Sequence, residues 1–271
     1  MTTILAIGGK IGSGKTTLSR YLHGYFMKNV IPNPTDHNVR GIIGSYMMDE
    51  EGNLWVPTEN DQYGIFDPDS RQPEVVDFLS NIVWPYIKSY NFAGCLKKIC
   101  KDMFGATDEQ LYGTQEQKAT PIEGLLWENM CGAIAPKSNR TKKELELIEE
   151  AKLVERSGPM TVRELMQYLG TDVFRRANNE CHANSCLRAI KADNPAFAII
   201  GDLRFRDTEV PAVKKNDGLC LYLTRDIYGN THASETSIGP EDCDIVLDNQ
   251  NLTIQETCEA AIASLRTHGV L

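Results

Sequence analysis

Hydrophobic residues in this chain fall into short unbroken runs separated by segments of helical period. The first run, Thr3-Ile4-Leu5-Ala6-Ile7, does not alternate, which predicts a strand covered on both faces, as in a parallel sheet. Leu18, Tyr21, Leu22, Tyr25 and Phe26 then recur at the spacing of one face of an amphipathic helix. Glu74 to Tyr86 carries a second helical pattern that stops near Pro85, and Ile87 to Phe92 alternates as the expected second core strand. Leu96, Ile99, Cys100, Met103 and Phe104 line a further helix ended by Gly105, and Asp108 to Gly113 reads as one capped turn. Lys142 to Arg156 is a charged, solvated helix with Lys and Glu one turn apart.

Towards the C-terminus, Thr161-Val-Arg-Glu164 forms a capping box opening a helix with Val162, Leu165, Met166 and Leu169 on one side. Another helix is expected from Asn178 to Lys191. Ala196 to Gly201, Leu219 to Leu223 and Asp244 to Asp248 are strand runs, and Ile254, Cys258, Ala261, Ile262 and Leu265 give a closing helix. Strands alternating with helices predict an α/β fold with a doubly wound parallel sheet, whose ligands sit at the carboxyl ends of strands. We expect a single domain, 1–271, interrupted by an insertion over about residues 30–85. That stretch is rich in Pro and Gly, and an acidic turn, Asp49 to Asn53, is flanked by segments able to pair as a hairpin.

Between the first strand and its helix lies Gly9-Lys10-Ile11-Gly12-Ser13-Gly14-Lys15-Thr16, which fits the phosphate-loop pattern G-x-x-x-x-G-K-[ST] at every position. Its glycines let backbone N–H groups turn inward onto anionic oxygens. Lys15 supplies a point charge for β- and γ-phosphates, the Thr16 hydroxyl suits Mg²⁺, and the helix dipole points at the same anion. A Gly-rich turn without a ligand is the alternative, but it gives no reason for Gly-Lys-Thr at a helix start.

Composition narrows the partners. A net charge of −9 argues against nucleic acid, and no apolar run is long enough to span a membrane. Met1-Thr2-Thr3 leads straight into the first strand, so a cytoplasmic location is expected. The eight cysteines show no zinc or thioredoxin spacing and are expected to be reduced thiols, mostly buried.

Asp202 ends a strand run at the phosphate-loop end of the sheet, the place for a second Mg²⁺-associated carboxylate. Arg204 and Arg206 follow, and an arginine fork suits the equatorial charges of a transferring phosphoryl group. A structural Asp202–Arg204 ion pair is the competing reading. Arg225 opens a long polar stretch between two strands. It is read either as a lid over about 225–240 that brings Arg225 onto the phosphates, or as a surface loop with a solvated arginine. No general base stands out, and an ionised phosphate acceptor requires none.

With these residues in hand, the chain resembles the phage-encoded deoxynucleoside monophosphate kinases. The similarity lies in Arg163 to Asp172 (R-E-L-M-Q-Y-L-G-T-D), Gly201 to Glu209 (G-D-L-R-F-R-D-T-E) and His232 to Glu235 (H-A-S-E). Phe92 to Lys97, Phe104 to Gly113 and the phosphate loop add to it, whereas residues 30–85 have no counterpart. The resemblance implies a P-loop nucleoside monophosphate kinase fold that uses ATP and Mg²⁺ and accepts a deoxynucleoside monophosphate. By matching position, Gly9, Lys10, Gly12, Ser13, Gly14, Lys15, Thr16 and Thr17 hold ATP, and Thr16 and Asp202 hold the metal. Lys15, Asp202, Arg204 and Arg225 carry the transfer. The expected partners are small nucleotides, with neither nucleic acid nor membrane; the sequence does not fix the oligomeric state, a homodimer being one option. Two alternatives stay open on sequence: a P-loop kinase with a hydroxyl acceptor (a nucleoside or dephospho-coenzyme A), and an ATP-binding regulatory module without transfer.

Overall fold

The structure, a computed structural model, describes residues 2–32, 45–58, 62–151, 153–227 and 237–271. Five all-parallel strands form the central sheet: β1 (Thr3–Gly9), β2 (Ile87–Tyr90), β3 (Phe197–Leu203), β4 (Leu219–Leu223) and β5 (Ile245–Leu247), in the spatial order β5-β4-β1-β3-β2. β1 sits in the middle because it is apolar on both faces. Leu5 and Ile7 pack on one side and Ile4 and Ala6 on the other. The register sets Gly9 beside Leu223 of β4 and Gly8 beside Leu203 of β3, so three strands end at one level.

Helices cover both faces. On one, α1 (Lys15–Asn29) lays Leu18, Leu22 and Phe26 on the sheet. On the other, α2 (Cys181–Asp193) brings Ala183, Cys186 and Ile190, and α3 (Glu209–Lys215) brings Val210 and Val213. α4 (Ile254–Thr267) joins the α1 face through Cys258, Ala261, Ile262 and Leu265, the residues its periodicity singles out. The doubly wound α/β sheet expected from the sequence is therefore present.

The acidic turn does join a hairpin: Met47–Met48 pairs antiparallel with Leu54–Pro57, which pairs in turn with Tyr63–Ile65. Its Leu54 and Val56 enter the same core as α1.

Where the sequence suggests one domain, the chain divides into two compact units, residues 1–92 with 183–271 and residues 93–182. The second has its own core of Leu96, Leu111, Ile122, Trp127, Met160, Leu165 and Tyr168, with the Trp127 and Tyr168 rings edge to face at 5.9 Å. The capping box at Thr161 is formed: Thr161 Oγ1 accepts the Glu164 N–H at 3.3 Å, and Glu164 accepts the Thr161 N–H at 3.0 Å.

Three element boundaries differ from expectation. The charged helix ends at Glu150, where two glutamates oppose the helix dipole, and Val154–Glu155 instead pairs with Ala133–Ile134. α2 starts at Cys181, because the Asn178 side chain accepts the Glu180 N–H at 2.9 Å and makes a local turn. The segment after Pro73 is α-helical only to Phe78 and continues as a π-turn, Leu79–Val83. Of the cysteines, Cys100, Cys186, Cys220 and Cys258 are buried and Cys95 and Cys131 are exposed, all as free thiols. No helix among the described residues is long and apolar enough to cross a membrane.

Two measurements check this packing. Leu22 is fully buried, so Leu22→Ala should cost about 2–5 kcal/mol in urea unfolding. A loss below about 1 kcal/mol would contradict the described core. His23 is also fully buried, with its Nδ1 2.8 Å from the Ser19 carbonyl and its Nε2 without a partner among the described residues. Burial holds its pKa below 6.5, only partly offset by the Ser19 carbonyl and by Asp69 and Asp67. The unfolded chain therefore takes up a proton that the folded chain refuses as pH drops below about 6.5, and stability declines there. His23→Gln should flatten the fall in urea midpoint between about pH 7 and about pH 5. An unchanged slope would remove His23 as its source.

Candidate active site

The loop after β1 is shaped by positive φ angles at Gly9 (137°), Gly12 (78°) and Gly14 (102°). At Gly9 the requirement is steric as well. A Cβ there would lie 2.7 Å from the Leu223 carbonyl oxygen and 2.7 Å from Ser13 Oγ. Gly14 precedes α1 without any side-chain cap, and the first turn holds no acidic residue. Some helices elsewhere in the chain begin with Thr capping boxes, as at Thr161 and Thr253. The first N–H groups of α1 are thus left for an outside acceptor, beside a positive helix end.

Lys15 folds back over this loop, donating to the carbonyls of Gly9 (2.6 Å) and Lys10 (2.7 Å), with Ser13 Oγ at 3.5 Å. Lys10 pairs with Asp226 at 2.5 Å, and that carboxylate raises the Lys10 pKa. Thr16 is exposed on the first turn of α1, Thr17 is half-buried and Ser13 is fully buried. All eight residues assigned to the phosphate site lie on this loop and helix start.

Asp202 lies on β3 next to Leu203, which pairs with Gly8. Its carboxylate accepts the Phe92 N–H at 2.7 Å, joining the end of β3 to the segment after β2. Arg204 follows at the strand end, where the buried carboxylate of Glu209 accepts the N–H groups of Arg204 (2.8 Å) and Phe205 (3.0 Å). Arg206 is taken up by Glu241 and, at 2.8 Å, by Asp242. Arg206 is thus engaged by two carboxylates of the segment before β5.

Arg225 is at the same end of the sheet, but its guanidinium is directed to the turn after β5. It donates to the carbonyl of Asn249 at 3.1 Å and to that of Leu252. There it lines a cleft of about 580 Å³ with Met48, Glu50, Leu252, Ile254 and Gln255. The structure thus brings the phosphate loop, Asp202, Arg204 and Arg225 to the carboxyl ends of the strands. It puts Arg225 against backbone carbonyls. Residues 228–236, the middle of the expected lid and the site of His232 to Glu235, lie outside the described residues. The Leu169-Gly-Thr-Asp172 segment falls in a π-helix, Tyr168–Arg175, with Leu169 and Gly170 buried and Thr171 and Asp172 exposed.

Sequence reasoning missed Asn249, which is fully buried. Its Nδ2 donates to the Ser13 carbonyl at 2.9 Å, and its Oδ1 accepts the Arg225 N–H at 2.9 Å. One amide therefore pins the phosphate loop to the start of the expected lid. The only cue was its position just past a core strand. Asn249→Ala would strand the Ser13 carbonyl without its partner. We expect a stability loss of about 1–3 kcal/mol and several-fold weaker ATP binding by titration calorimetry. Unchanged binding would mean that the loop holds its shape without this bond.

Comparison with known proteins agrees with this geometry. A sequence model of the deoxynucleotide monophosphate kinase family matches residues 112–258. A protein of Acanthamoeba polyphaga mimivirus, named as a deoxynucleotide monophosphate kinase, is 30% identical over 181 residues, covering 61% of this chain and 76% of the relative. With more than half of its length matched and a phosphate loop at the carboxyl edge of a five-stranded parallel sheet, the chain belongs to the deoxynucleotide monophosphate kinase family.

Proposed function

We propose that this kinase transfers the γ-phosphoryl group of Mg²⁺-bound ATP to the 5′-phosphate of a deoxynucleoside monophosphate, with Gly9 to Thr17 as the donor's triphosphate seat. Kinase activity towards deoxynucleotide monophosphates and use of ATP follow from the family. The residue roles are our reading. The observation that carries them is the uncapped start of α1 behind three glycines at positive φ, with Lys15 folded over the same loop. Backbone N–H groups of this loop suit β- and γ-phosphate oxygens, and Lys15 would exchange its two carbonyl partners for them.

An oxygen of the acceptor phosphate attacks the γ-phosphorus, and the bond from that phosphorus to the β,γ-bridging oxygen breaks, releasing ADP. The nucleophile is already ionised, so positioning and charge neutralisation provide the rate. Arg204 is assigned to the acceptor side and Arg225 to the donor side. Arg225 must leave the Leu252 carbonyl if it is to reach the phosphates.

The donor set suits Mg²⁺. Among the described residues no group of three or more His, Cys, Asp or Glu is poised to hold a metal. A small hard ion bound through one or two protein oxygens plus phosphates needs no such group. Thr16 and Asp202 would hold it, and the ion would neutralise charge on the β- and γ-phosphates. The cleft bounded by Arg225, Leu252 and Ile254 is of a size for one small ligand, and we assign it to the donor nucleoside.

A coupled ADP-release assay over the four common deoxynucleoside monophosphates, with the unphosphorylated nucleosides as controls, tests the acceptor. Turnover is expected with at least one monophosphate and with none of the nucleosides. Activity only on a nucleoside would overturn the phosphate acceptor. Lys15→Ala should lower kcat by at least about two orders of magnitude. Near-normal turnover would remove Lys15 from the mechanism.

A further inference from the structure

The hairpin of Met47–Met48 and Leu54–Pro57 lies outside the segment matched by the family model, yet it contributes one wall of the nucleoside cleft. Its tip is held firmly. The Asp49 carboxylate accepts the Asn53 N–H (2.7 Å), Asn53 Nδ2 (2.9 Å) and Trp55 Nε1 (2.7 Å), which keeps it ionised down to about pH 2. Gly52 rests against α1, where a Cβ would lie 2.7 Å from Thr17 Oγ1. Leu54, two residues on, is fully buried. Glu50 stands between these anchors, exposed and lining the cleft, and no hydrogen bond or ion pair among the described residues engages its carboxylate.

We propose that Glu50 is a specificity residue for the phosphoryl donor, its carboxylate accepting hydrogen bonds from the ribose hydroxyls of ATP. The inference rests on the assignment of the cleft to the donor nucleoside. An ionised carboxylate only accepts hydrogen bonds, and it repels phosphate, so the hydroxyls of the sugar are the matching groups. Position selects the sugar over the base. The hairpin tip abuts Thr17, immediately after the phosphate loop, and the ribose is the part of a nucleoside nearest its phosphates. Leu252 and Ile254 offer the apolar part of the cleft to the base. Arg225 borders the same cleft. An acceptor nucleotide, lacking the 2′-hydroxyl, would gain less from Glu50, so the residue also helps sort the two substrates.

The test compares ATP with 2′,3′-dideoxy-ATP as donors for the full-length protein and for Glu50→Ala and Glu50→Gln. The wild type should favour ATP in kcat/KM by roughly tenfold or more, since a site built to bond a hydroxyl rejects the analogue lacking it. Glu50→Ala should lower kcat/KM for ATP roughly tenfold and bring it level with the dideoxy analogue. Glu50→Gln, which keeps an acceptor oxygen without the charge, should fall between. An unchanged donor ratio in Glu50→Ala overturns the proposal. So does an equal loss for both donors, which would indicate displacement of the hairpin. Either result leaves the kinase reading standing if Lys15→Ala abolishes turnover. Absence of ATP-dependent turnover in the wild type would defeat that wider reading instead.

Discussion

The loop from Gly9 to Lys15 must turn its amides towards one point, a conformation that costs backbone entropy and that a free chain does not hold. Its neighbours hold it. Leu223 leaves no room for a side chain at Gly9, the Asn249 amide draws the Ser13 carbonyl outward, and α1 begins at once behind Gly14. The first two contacts come from the end of β4 and the turn just beyond β5, so the parallel register of β1, β4 and β5 fixes the shape of the loop. The apolar faces of β1 secure that register, and the site thus depends on the core directly.

Electrostatics at this edge consist of exchangeable pairs. Lys15 rests on two loop carbonyls, Lys10 on Asp226, and Arg225 on the carbonyls of Asn249 and Leu252. Cations held in this way are satisfied without a ligand and remain close to where phosphate charge would arrive. Binding a polyanion then trades neutral or singly charged partners for a stronger one. The overall negative charge of the chain makes such local concentration necessary, because no broad positive field gathers nucleotides.

Strands were legible where burial on both faces writes an unbroken apolar run, as at Leu5 or Ile199, and the phosphate loop was legible because its pattern is local. The rule that ligands meet strand ends predicted the position of Asp202 and Arg204, and both lie at the phosphate-loop end of β3. Asn249 was not, since its bond spans 236 positions and nothing near it in the chain signals a partner at Ser13. The helical faces within residues 93–182 were equally visible, but periodicity says that a face is covered and not by what. The separate core around Trp127 and Tyr168 therefore escaped notice. Arg225 shows the same limit: its place was evident, and the carbonyls that hold it were not.

The central claim is that a triphosphate is gathered by the backbone of this one loop, in a shape that only glycine at position 9 permits. Titration of ATP into Gly9→Ala, with circular dichroism to confirm the fold, tests it most directly. The account predicts a folded protein whose ATP affinity falls by at least about an order of magnitude, as expected when a cluster of charge-assisted hydrogen bonds is misaligned. A folded variant that binds ATP as tightly as the wild type would contradict it.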